Sequence, residues 1–239
     1  MTRIVDLTHT VSPLTPRSTD HPQVEFKSVR WFSRHGIRTH TVYASLHSGT
    51  HIDAPSLYMP DGYNIDDIPI ERLFGPGIIL DVRRDEWGVI GAADLDAIGH
   101  DVQEGDNVIL CCGWGQYYGR DEEKYQLRSP GLDKSGVDWL VSRRVNAVGI
   151  DASSSEHVFM RLPQWKGVRP DIFGEVDADP AQFPNAYGHT ELFRNDILVV
   201  DHVGGPLDSL LGVRCTIGLM CAKYGGVEGA PARVFALVD

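Results

Sequence analysis

The chain has 239 residues, of which 42% are hydrophobic and 23% charged, a balance typical of a globular protein with a buried core. Its 22 Lys and Arg against 33 Asp and Glu give a net charge of −11, which argues against nucleic acid or an anionic membrane as a partner. No apolar run approaches the roughly 20 residues of a membrane span, the N-terminus lacks the apolar stretch of a secretory signal, and the four cysteines fit neither a disulfide framework nor a zinc ribbon. We therefore expect a cytoplasmic protein whose cysteines are small buried apolar residues.

Short β-rich runs alternate with helical patterns along the chain, which favours an α/β fold with its chemistry on loops at strand ends. No linker or repeat interrupts this alternation, so one domain is expected over residues 1–239. The predicted strands are Ile4–Leu7, Thr41–Leu46, Gly77–Val82, Asn107–Cys112, Ala147–Asp151, Ile197–Asp201 and Arg233–Val238. Helices are predicted at Ala92–Ile98 and Ser135–Arg143, the second capped by Asp133 or Ser135, and turns at Pro60–Gly62, Gly75–Gly77 and Gly204–Pro206.

The most informative segment places two histidines and an aspartate within seven residues, His47, His51 and Asp53. Imidazole and carboxylate are good ligands of first-row metal ions. On a strand the three side chains share a face, but His47 and His51 would be about 13 Å apart, close to the limit of one ion. We therefore predict a strand that bends at Gly49, where a missing side chain also lets the backbone approach the ion, and that ends at Pro55.

A simpler interpretation treats His47 and His51 as surface or core histidines and Asp53 as part of a turn. It would be preferred for a single histidine. Three ligand types at this spacing around a Gly-Thr pair favour the metal site instead.

The segment His47–Pro55 resembles the H-x-G-T-H-x-D-A-P signature of the cyclase family, which includes bacterial kynurenine formamidases and isatin hydrolases. The resemblance extends over nearly the whole chain, through Ile4–His9, the G-x-D-x-x-S segment Gly149–Ser154 and the closing run from His189 to Asp201. It implies a single domain with a swivelling β/β/α fold. It also implies a metal-dependent hydrolase that uses one or two Zn²⁺ or Mn²⁺ ions on a small-molecule substrate, and that forms a homodimer or homotetramer.

The resemblance also implies a set of metal ligands. His47, His51 and Asp53 match the residues that bind the metal in the formamidases, and their Asp can bridge to a second ion held by a downstream His and Glu. The matching positions are His189 and Asp201, at the retained separation. Asp201 is one methylene shorter than the usual Glu, so the alternative is a carboxylate that ends a strand and caps a turn.

The chain departs from the formamidase pattern at Leu57, where those enzymes have a proton-shuttling histidine. Leucine cannot transfer a proton, so Leu57 is expected only to line the substrate pocket. Candidates for a replacement are Tyr58, His157 and His202, and each has a structural role as its alternative. Asp151, which follows a buried strand, is expected either to orient a ligand histidine or to hold a turn.

Aromatic residues near the predicted site suggest an aromatic or cyclic substrate. Trp31 and Trp114 are the candidates for substrate binding, Trp114 because its flanking glycines indicate a loop. The alternative places them in the core or in a subunit interface.

Three functions remain open. The first is hydrolysis of an amide, cyclic amide or lactone of a small, aromatic or cyclic substrate by metal-activated water. The second is a metal-dependent cyclase or lyase of polyketide type, in which the substrate condenses with itself without water. The third is a non-catalytic metal-binding homologue that has lost its proton-transfer group.

Overall fold

Residues 2–238 are described by a computed structural model, and they are organised around one large sheet. The strands are β1 (Arg3–Asp6), β2 (Glu25–Arg30), β3 (Thr39–Tyr43), β4 (His51–Asp53), β5 (Phe74–Asp81), β6 (Val89–Ile90), β7 (Asn107–Cys111), β8 (Gly131–Leu132), β9 (Ala147–Ile150), β10 (Leu198–Asp201), β11 (Arg214–Cys221) and β12 (Gly229–Val238). The α-helices are α1 (Phe32–His35), α2 (Ala92–Ile98), α3 (Glu122–Leu127), α4 (Lys134–Ser142), α5 (Leu162–Val168), α6 (Pro170–Phe173) and α7 (Tyr187–Arg194). Short 3-10 helices cover Pro55–Leu57, Ile65–Asp67, Ile70–Leu73, Trp114–Tyr117, Val158–Arg161 and Leu207–Leu210.

The main sheet has eight strands in the order β1-β12-β11-β5-β7-β9-β10-β4, and β4 also pairs with β12. This last pairing closes seven of the strands into a barrel. β5, β7, β9 and β10 are parallel to their neighbours in that series, whereas the remaining pairs are antiparallel. The long strand β12 shares one edge between two partners, with β4 beside its first residues and β1 beside its last.

The strands alternate between two apolar layers, as the period of two in a strand requires. Ile78 and Leu80 of β5 pack towards the helices, beside Leu95 of α2 and Leu140 of α4. Ile79 belongs to the second layer, which gathers apolar residues from strands all around the barrel. Because both faces are buried, these strands read as continuous apolar runs.

The structure confirms the α/β fold and most predicted elements within a few residues. α2 has the predicted bounds, and Asp133 caps α4 by accepting a hydrogen bond from the Gly136 N–H at 3.0 Å. The turn predicted at Gly75–Gly77 is wrong, because these residues lie inside β5. A Cβ at Gly77 would lie 2.2 Å from the Asn107 carbonyl oxygen, so the glycine allows β5 and β7 to approach.

Several elements were not predicted from the sequence, including β2 and β11. The strand predicted at Thr41–Leu46 begins and ends earlier, as β3. All four cysteines are free; Cys111 and Cys112 are buried and the other two are half-buried. Among the helices of residues 2–238, none combines the length and apolar character needed to cross a membrane.

Candidate metal centre

The other four predicted ligands gather around one carboxylate, that of Asp53. Its Oδ1 lies 2.8 Å from His47 Nδ1 and 3.3 Å from His51 Nε2. Its Oδ2 lies 3.6 Å from His189 Nε2, which is in turn 3.7 Å from Asp201 Oδ2. The structure therefore contains two triads that share Asp53, and within each triad the donor atoms lie within 4.8 Å of one another.

The pairing of β4 with β10 explains how distant residues meet here. Asp201 lies opposite His51 in this antiparallel pair, and Asp53 lies opposite Val199. His189 comes from α7, the helix that leads into β10. Except for His47, which is slightly exposed, these side chains are almost fully buried.

His47 reaches the cluster through a turn. The prediction of one bent strand is wrong in this respect, because regular strand structure covers only His51–Asp53. Gly49 has φ +72°, the left-handed region that favours glycine, and a Cβ there would lie 2.8 Å from Val11 Cγ2. The glycine is therefore required by the turn and by its contact with Val11, rather than by an approach of the backbone to an ion.

Each histidine of the cluster uses its second ring nitrogen to contact an oxygen outside the cluster. His51 Nδ1 donates to the Gly49 carbonyl at 2.7 Å, and His47 Nε2 faces Glu228 Oε1 at 3.1 Å. His189 Nδ1 lies 3.3 Å from Glu156 Oε2. The hydrogen bonds of His51 and His47 fix the orientation of these rings and leave the inner nitrogen free to bind metal. At His189 the hydrogen bond to Glu156 Oε2 comes from the backbone N–H, at 3.2 Å.

Electrostatics favour positive charge at this centre. Burial lowers the pKa of His47, but Asp53 and Glu228 offset it and raise that pKa to about 9. Burial opposes the charge of His189 as well, yet Glu156, Asp201 and Asp53 hold its pKa well above the usual value. Burial raises the pKa of Asp53, and the neighbouring His51 and His47 more than reverse this effect.

The donor set fits a first-row divalent ion. Ligands about 2.1 Å from a tetrahedral ion are about 3.4 Å from each other. The separations between the inner donor atoms, 2.8, 3.3, 3.6 and 3.7 Å, surround this value. Imidazole with carboxylate suits zinc and manganese alike.

The cluster forms one wall of a cavity of about 320 Å³. Leu57 and Tyr58 line this cavity, and the Tyr58 ring stacks on His189 with centroids 5.2 Å apart. Burial raises the pKa of the Tyr58 phenol. His21 also lines the cavity, stacked 5.7 Å from His47, although its place in an irregular N-terminal segment gave no sequence signal.

His157 borders the cavity, but both of its ring nitrogens contact backbone groups. Nδ1 accepts a hydrogen bond from the Phe159 N–H, and Nε2 contacts the Trp87 carbonyl at 3.0 Å. Burial lowers its pKa to about 4. With both ring nitrogens in use, His157 caps a 3-10 helix, and its catalytic role stays a prediction.

His202 lies beside the cluster, its ring 5.4 Å from that of His51. Its Nδ1 is 3.0 Å from the Tyr125 hydroxyl, and burial together with His51 holds its pKa well below the usual value. It lines the cavity as a neutral imidazole, so its proposed role in proton transfer stays a prediction.

Neither Trp31 nor Trp114 lines this cavity, so their role in substrate binding stays a prediction. Trp114 is buried, its indole N–H donates to the Tyr125 carbonyl, and it borders a separate cleft of about 930 Å³. Trp31 is half exposed at the start of α1, outside the barrel. Asp151 accepts N–H bonds from Cys112 and Trp114, so it holds that turn, and it bonds to no ligand histidine within residues 2–238.

Two carboxylates of the centre, Glu156 and Glu228, were not among the predicted site residues. Glu228 lies 181 positions from His47 in the chain, and the pairing of β12 with β4 brings them together. Glu156 belongs to the Ser-Ser-Ser-Glu-His segment, in which only His157 was a predicted site residue. No local pattern distinguishes either residue from a surface acid.

With this geometry established, comparison with known proteins identifies the family. The family model Cyclase, described as "Putative cyclase", matches residues 5–157. The chain belongs to the cyclase family. This match confirms the resemblance expected from the sequence motifs.

Individual relatives are distant. A kynurenine formamidase of Erythrobacter litoralis is 26% identical over 64% of this chain and 67% of its own length. A cyclase-like protein 3 of Oryza sativa subsp. japonica is 23% identical over 97% of this chain and 78% of its own. Two further kynurenine formamidases are matched over 39% and 61% of their lengths, so the chain spans only part of the formamidases it resembles.

Solved structures show the same fold. An isatin hydrolase bound to the product analogue thioisatinate matches with a TM-score of 0.81 and 22% identity, over 99% of this chain and 92% of the other. Isatin hydrolase A from Labrenzia aggregata matches with a TM-score of 0.82 and 21% identity, over 99% and 94%. At these identities the likeness establishes the fold alone.

Proposed function

We propose that this chain is a metal-dependent hydrolase that cleaves an amide, cyclic amide or lactone bond in a small, aromatic or cyclic substrate. The observation that carries the proposal is the carboxylate of Asp53, shared by two His/Asp triads at the wall of a cavity. Hydrolases among the relatives, named as kynurenine formamidases, support the same reaction class.

In this proposal the chain holds one or two Zn²⁺ or Mn²⁺ ions. His47, His51 and Asp53 hold the first, while Asp53, His189 and Asp201 hold the second. Asp201 already accepts a hydrogen bond from the Ser155 N–H through Oδ1, at 2.9 Å, which leaves Oδ2 for the ion. The shorter side chain suffices because β10 carries its backbone directly opposite His51. A divalent ion bound there supplies an activated water near neutral pH and polarises a substrate carbonyl.

The residues around the cluster place the substrate and limit which bonds break. Leu57 presents an apolar, non-titrating surface where a proton donor would assist departure of an amide nitrogen. General acid assistance is worth about 10²–10⁴-fold, and a lactone or ester needs less of it because its leaving group is less basic. Tyr58 and His202 are the proposed proton-transfer groups, since both line the cavity beside the cluster.

The test compares His51→Ala with His100→Ala, which removes an exposed histidine far from the cluster in sequence. Metal content and turnover are measured on a panel of aryl formamides, cyclic aryl amides and aryl lactones. We expect His51→Ala to lose metal and turnover while His100→Ala retains both. Unchanged metal and turnover in His51→Ala would rule the proposal out.

Leu57 also favours a second candidate, a cyclase or lyase of polyketide type. An apolar side chain at this place suppresses hydrolysis and leaves carbonyl polarisation for an intramolecular condensation. Incorporation of ¹⁸O from labelled water into the product would exclude this candidate. Metal binding without turnover on either class of substrate would instead indicate a non-catalytic homologue.

We also propose that the chain forms a homodimer or homotetramer and works in the cytoplasm, where its free cysteines stay reduced. The hairpin β2–β3 and the helix α1 between its strands expose apolar side chains, and a two-stranded hairpin is marginally stable alone. A second copy of the chain would bury them. Sedimentation velocity should show Phe32→Glu shifting the protein to monomer, whereas Ile70→Glu, equally exposed elsewhere, should not.

A further inference from the structure

Arg161 brings a positive charge to the cavity of the metal centre. It ends the 3-10 helix Val158–Arg161 and is the one Lys or Arg among the cavity-lining residues of the described chain. Its Nε donates to Glu156 Oε1 at 2.6 Å. Among residues 2–238, nothing accepts a hydrogen bond from its two terminal nitrogens, and the side chain remains 30% exposed.

Glu156 fixes this guanidinium relative to the metal centre. The Glu156 side chain is 1% exposed; Oε1 faces Arg161, while Oε2 faces His189 Nδ1 at 3.3 Å. One carboxylate thus connects Arg161 to a residue of the second triad. The Arg161 guanidinium also lies 5.7 Å from the centre of the Tyr58 ring, which packs against it on the cavity side.

A purely structural role for Arg161 would be to neutralise Glu156. One N–H group accomplishes that, and the other side of the guanidinium stays available. Burying polar donors without acceptors is costly. Trp165, four residues on in the same wall, adds a buried indole N–H that has no acceptor among the described residues. This wall therefore presents donors of Arg161 and Trp165 that no acceptor of residues 2–238 uses.

The carboxylates of the cavity leave the two terminal nitrogens of Arg161 unused. Asp53 and Asp201 face the histidines of the cluster, and Glu156 divides its oxygens between Arg161 and His189. Asp20 lines the cavity too, but it makes no ion pair with Arg161 in residues 2–238. A planar guanidinium with two free parallel N–H groups matches a carboxylate in bidentate fashion.

We propose that the substrate carries a carboxylate, which Arg161 binds through its terminal nitrogens while the bond to be cleaved faces Asp53 and His51. Arg161 is then the residue that selects anionic over neutral substrates. This inference rests on the proposed hydrolase function, and it narrows the substrate class to carboxylate-bearing amides or lactones.

The test uses matched substrates, each aryl formamide or aryl lactone prepared with a ring carboxylate and with a neutral carboxamide in its place. The metal-loaded wild type, Arg161→Gln and Arg161→Lys are compared, with Arg194→Gln as a control at an exposed arginine. We expect Arg161→Gln to lower kcat/KM for the carboxylates about 10- to 100-fold, mainly through KM. The carboxamides should change less than about threefold, and Arg161→Lys should fall in between because the planar fork is lost.

A binding measurement separates this proposal from the hydrolase function. Calorimetry with benzoate on the metal-loaded proteins should show tenfold or greater weakening in Arg161→Gln and no change in Arg194→Gln. Equal losses for carboxylate and carboxamide substrates, or a lower metal content, would overturn the proposal, because Arg161 would then act by positioning Glu156. Benzoate binding that depends on Arg161 without any turnover would retain the carboxylate site and remove the hydrolase function.

Discussion

Asp53 and His189 face each other with Oδ2 and Nε2 3.6 Å apart, although 136 positions separate them in the chain. The other oxygen of Asp53 faces His51 at 3.3 Å. One side chain therefore belongs to both triads. The two candidate ion sites are coupled through it, and His47 and His51 depend on their outer hydrogen bonds for orientation.

The outer contact of His47 gives the first prediction. Glu228→Gln keeps the shape of the side chain but removes the charge that faces His47 Nε2. Loss of such an outer carboxylate weakens metal binding about 10- to 100-fold. We expect a competition titration with a chelating dye to show this weakening at one ion per chain, with the fold retained. Glu175→Gln, at an exposed acid, is the control, and equal affinity in the two variants would contradict the prediction.

The turn before β4 gives the second prediction. Gly49→Ala places a Cβ at φ +72° and 2.8 Å from Val11 Cγ2. Gly212→Ala has nearly the same backbone, φ +71°, with nothing within 4 Å of the added atom. Gly212→Ala should lose about 1 kcal/mol of unfolding free energy for the left-handed conformation. Gly49→Ala should lose about 1–3 kcal/mol more for the clash.

Denaturant unfolding measures both glycine variants. Gly49→Ala should also bind metal more weakly, because the turn positions His47, whereas Gly212→Ala should bind it normally. Equal stabilities of the two variants would show that the Val11 contact has no energetic importance.

His157, the buried histidine that caps a 3-10 helix, gives the third prediction. The pKa of His157 is lowered to about 4 by burial, against about 6.5 in an unfolded chain. The unfolded state therefore binds more protons between these values, so the stability that neutral His157 contributes is full above pH 6.5 and is lost as pH falls towards 4. Between pH 7 and pH 5 this loss amounts to about 2 kcal/mol.

His157→Asn isolates that contribution, because asparagine is also a good cap and does not titrate. The variant should be less stable than wild type at pH 7, yet lose about 2 kcal/mol less of its unfolding free energy on acidification to pH 5. Exposed His100→Asn should follow the wild type. A His157→Asn profile parallel to wild type would mean that His157 does not titrate in this range.

The position of Leu57 gives the fourth prediction. Leu57→His restores an imidazole at the cavity wall, beside Tyr58 and the metal centre. We expect the rate on aryl formamides to rise about tenfold or more relative to aryl lactones, since only the amide needs strong protonation of its leaving group. Leu57→Gln, polar but unable to transfer a proton, should leave that ratio unchanged. If Leu57→His changed the rates on aryl formamides and aryl lactones by the same factor, the role given to position 57 in leaving-group protonation would be contradicted.

The sequence was most informative where the signal is local. Asn107–Cys112 and Gly77–Val82 are runs of β-branched and apolar residues, and they form strands ending within one residue of the prediction. His47, His51 and Asp53 lie close enough in the chain to be read as one site. β11 was not predicted because Cys215 and Gly218 interrupt its run of β-branched and apolar residues. The glycine is needed because the Phe235 ring packs against the strand there.

Contacts between distant segments could not be predicted. The pairing of Glu228 with His47 depends on how β12 meets β4, and no periodicity reports that register. The backbone contact of His157 could not be predicted, because the oxygen that its ring contacts, the carbonyl of Trp87, lies 70 positions away. A glycine-flanked loop was expected around Trp114, yet the buried carboxylate of Asp151 holds that segment against the core.

The central claim, that Asp53 unites two metal sites, is tested most directly by the metal content per chain of the wild type and Asp53→Asn after identical reconstitution. Elemental analysis should find close to two ions per wild-type chain and almost none in Asp53→Asn, with circular dichroism showing that the variant is folded. Equal metal content in the two folded proteins would contradict the claim, because the ions would then be held without Asp53.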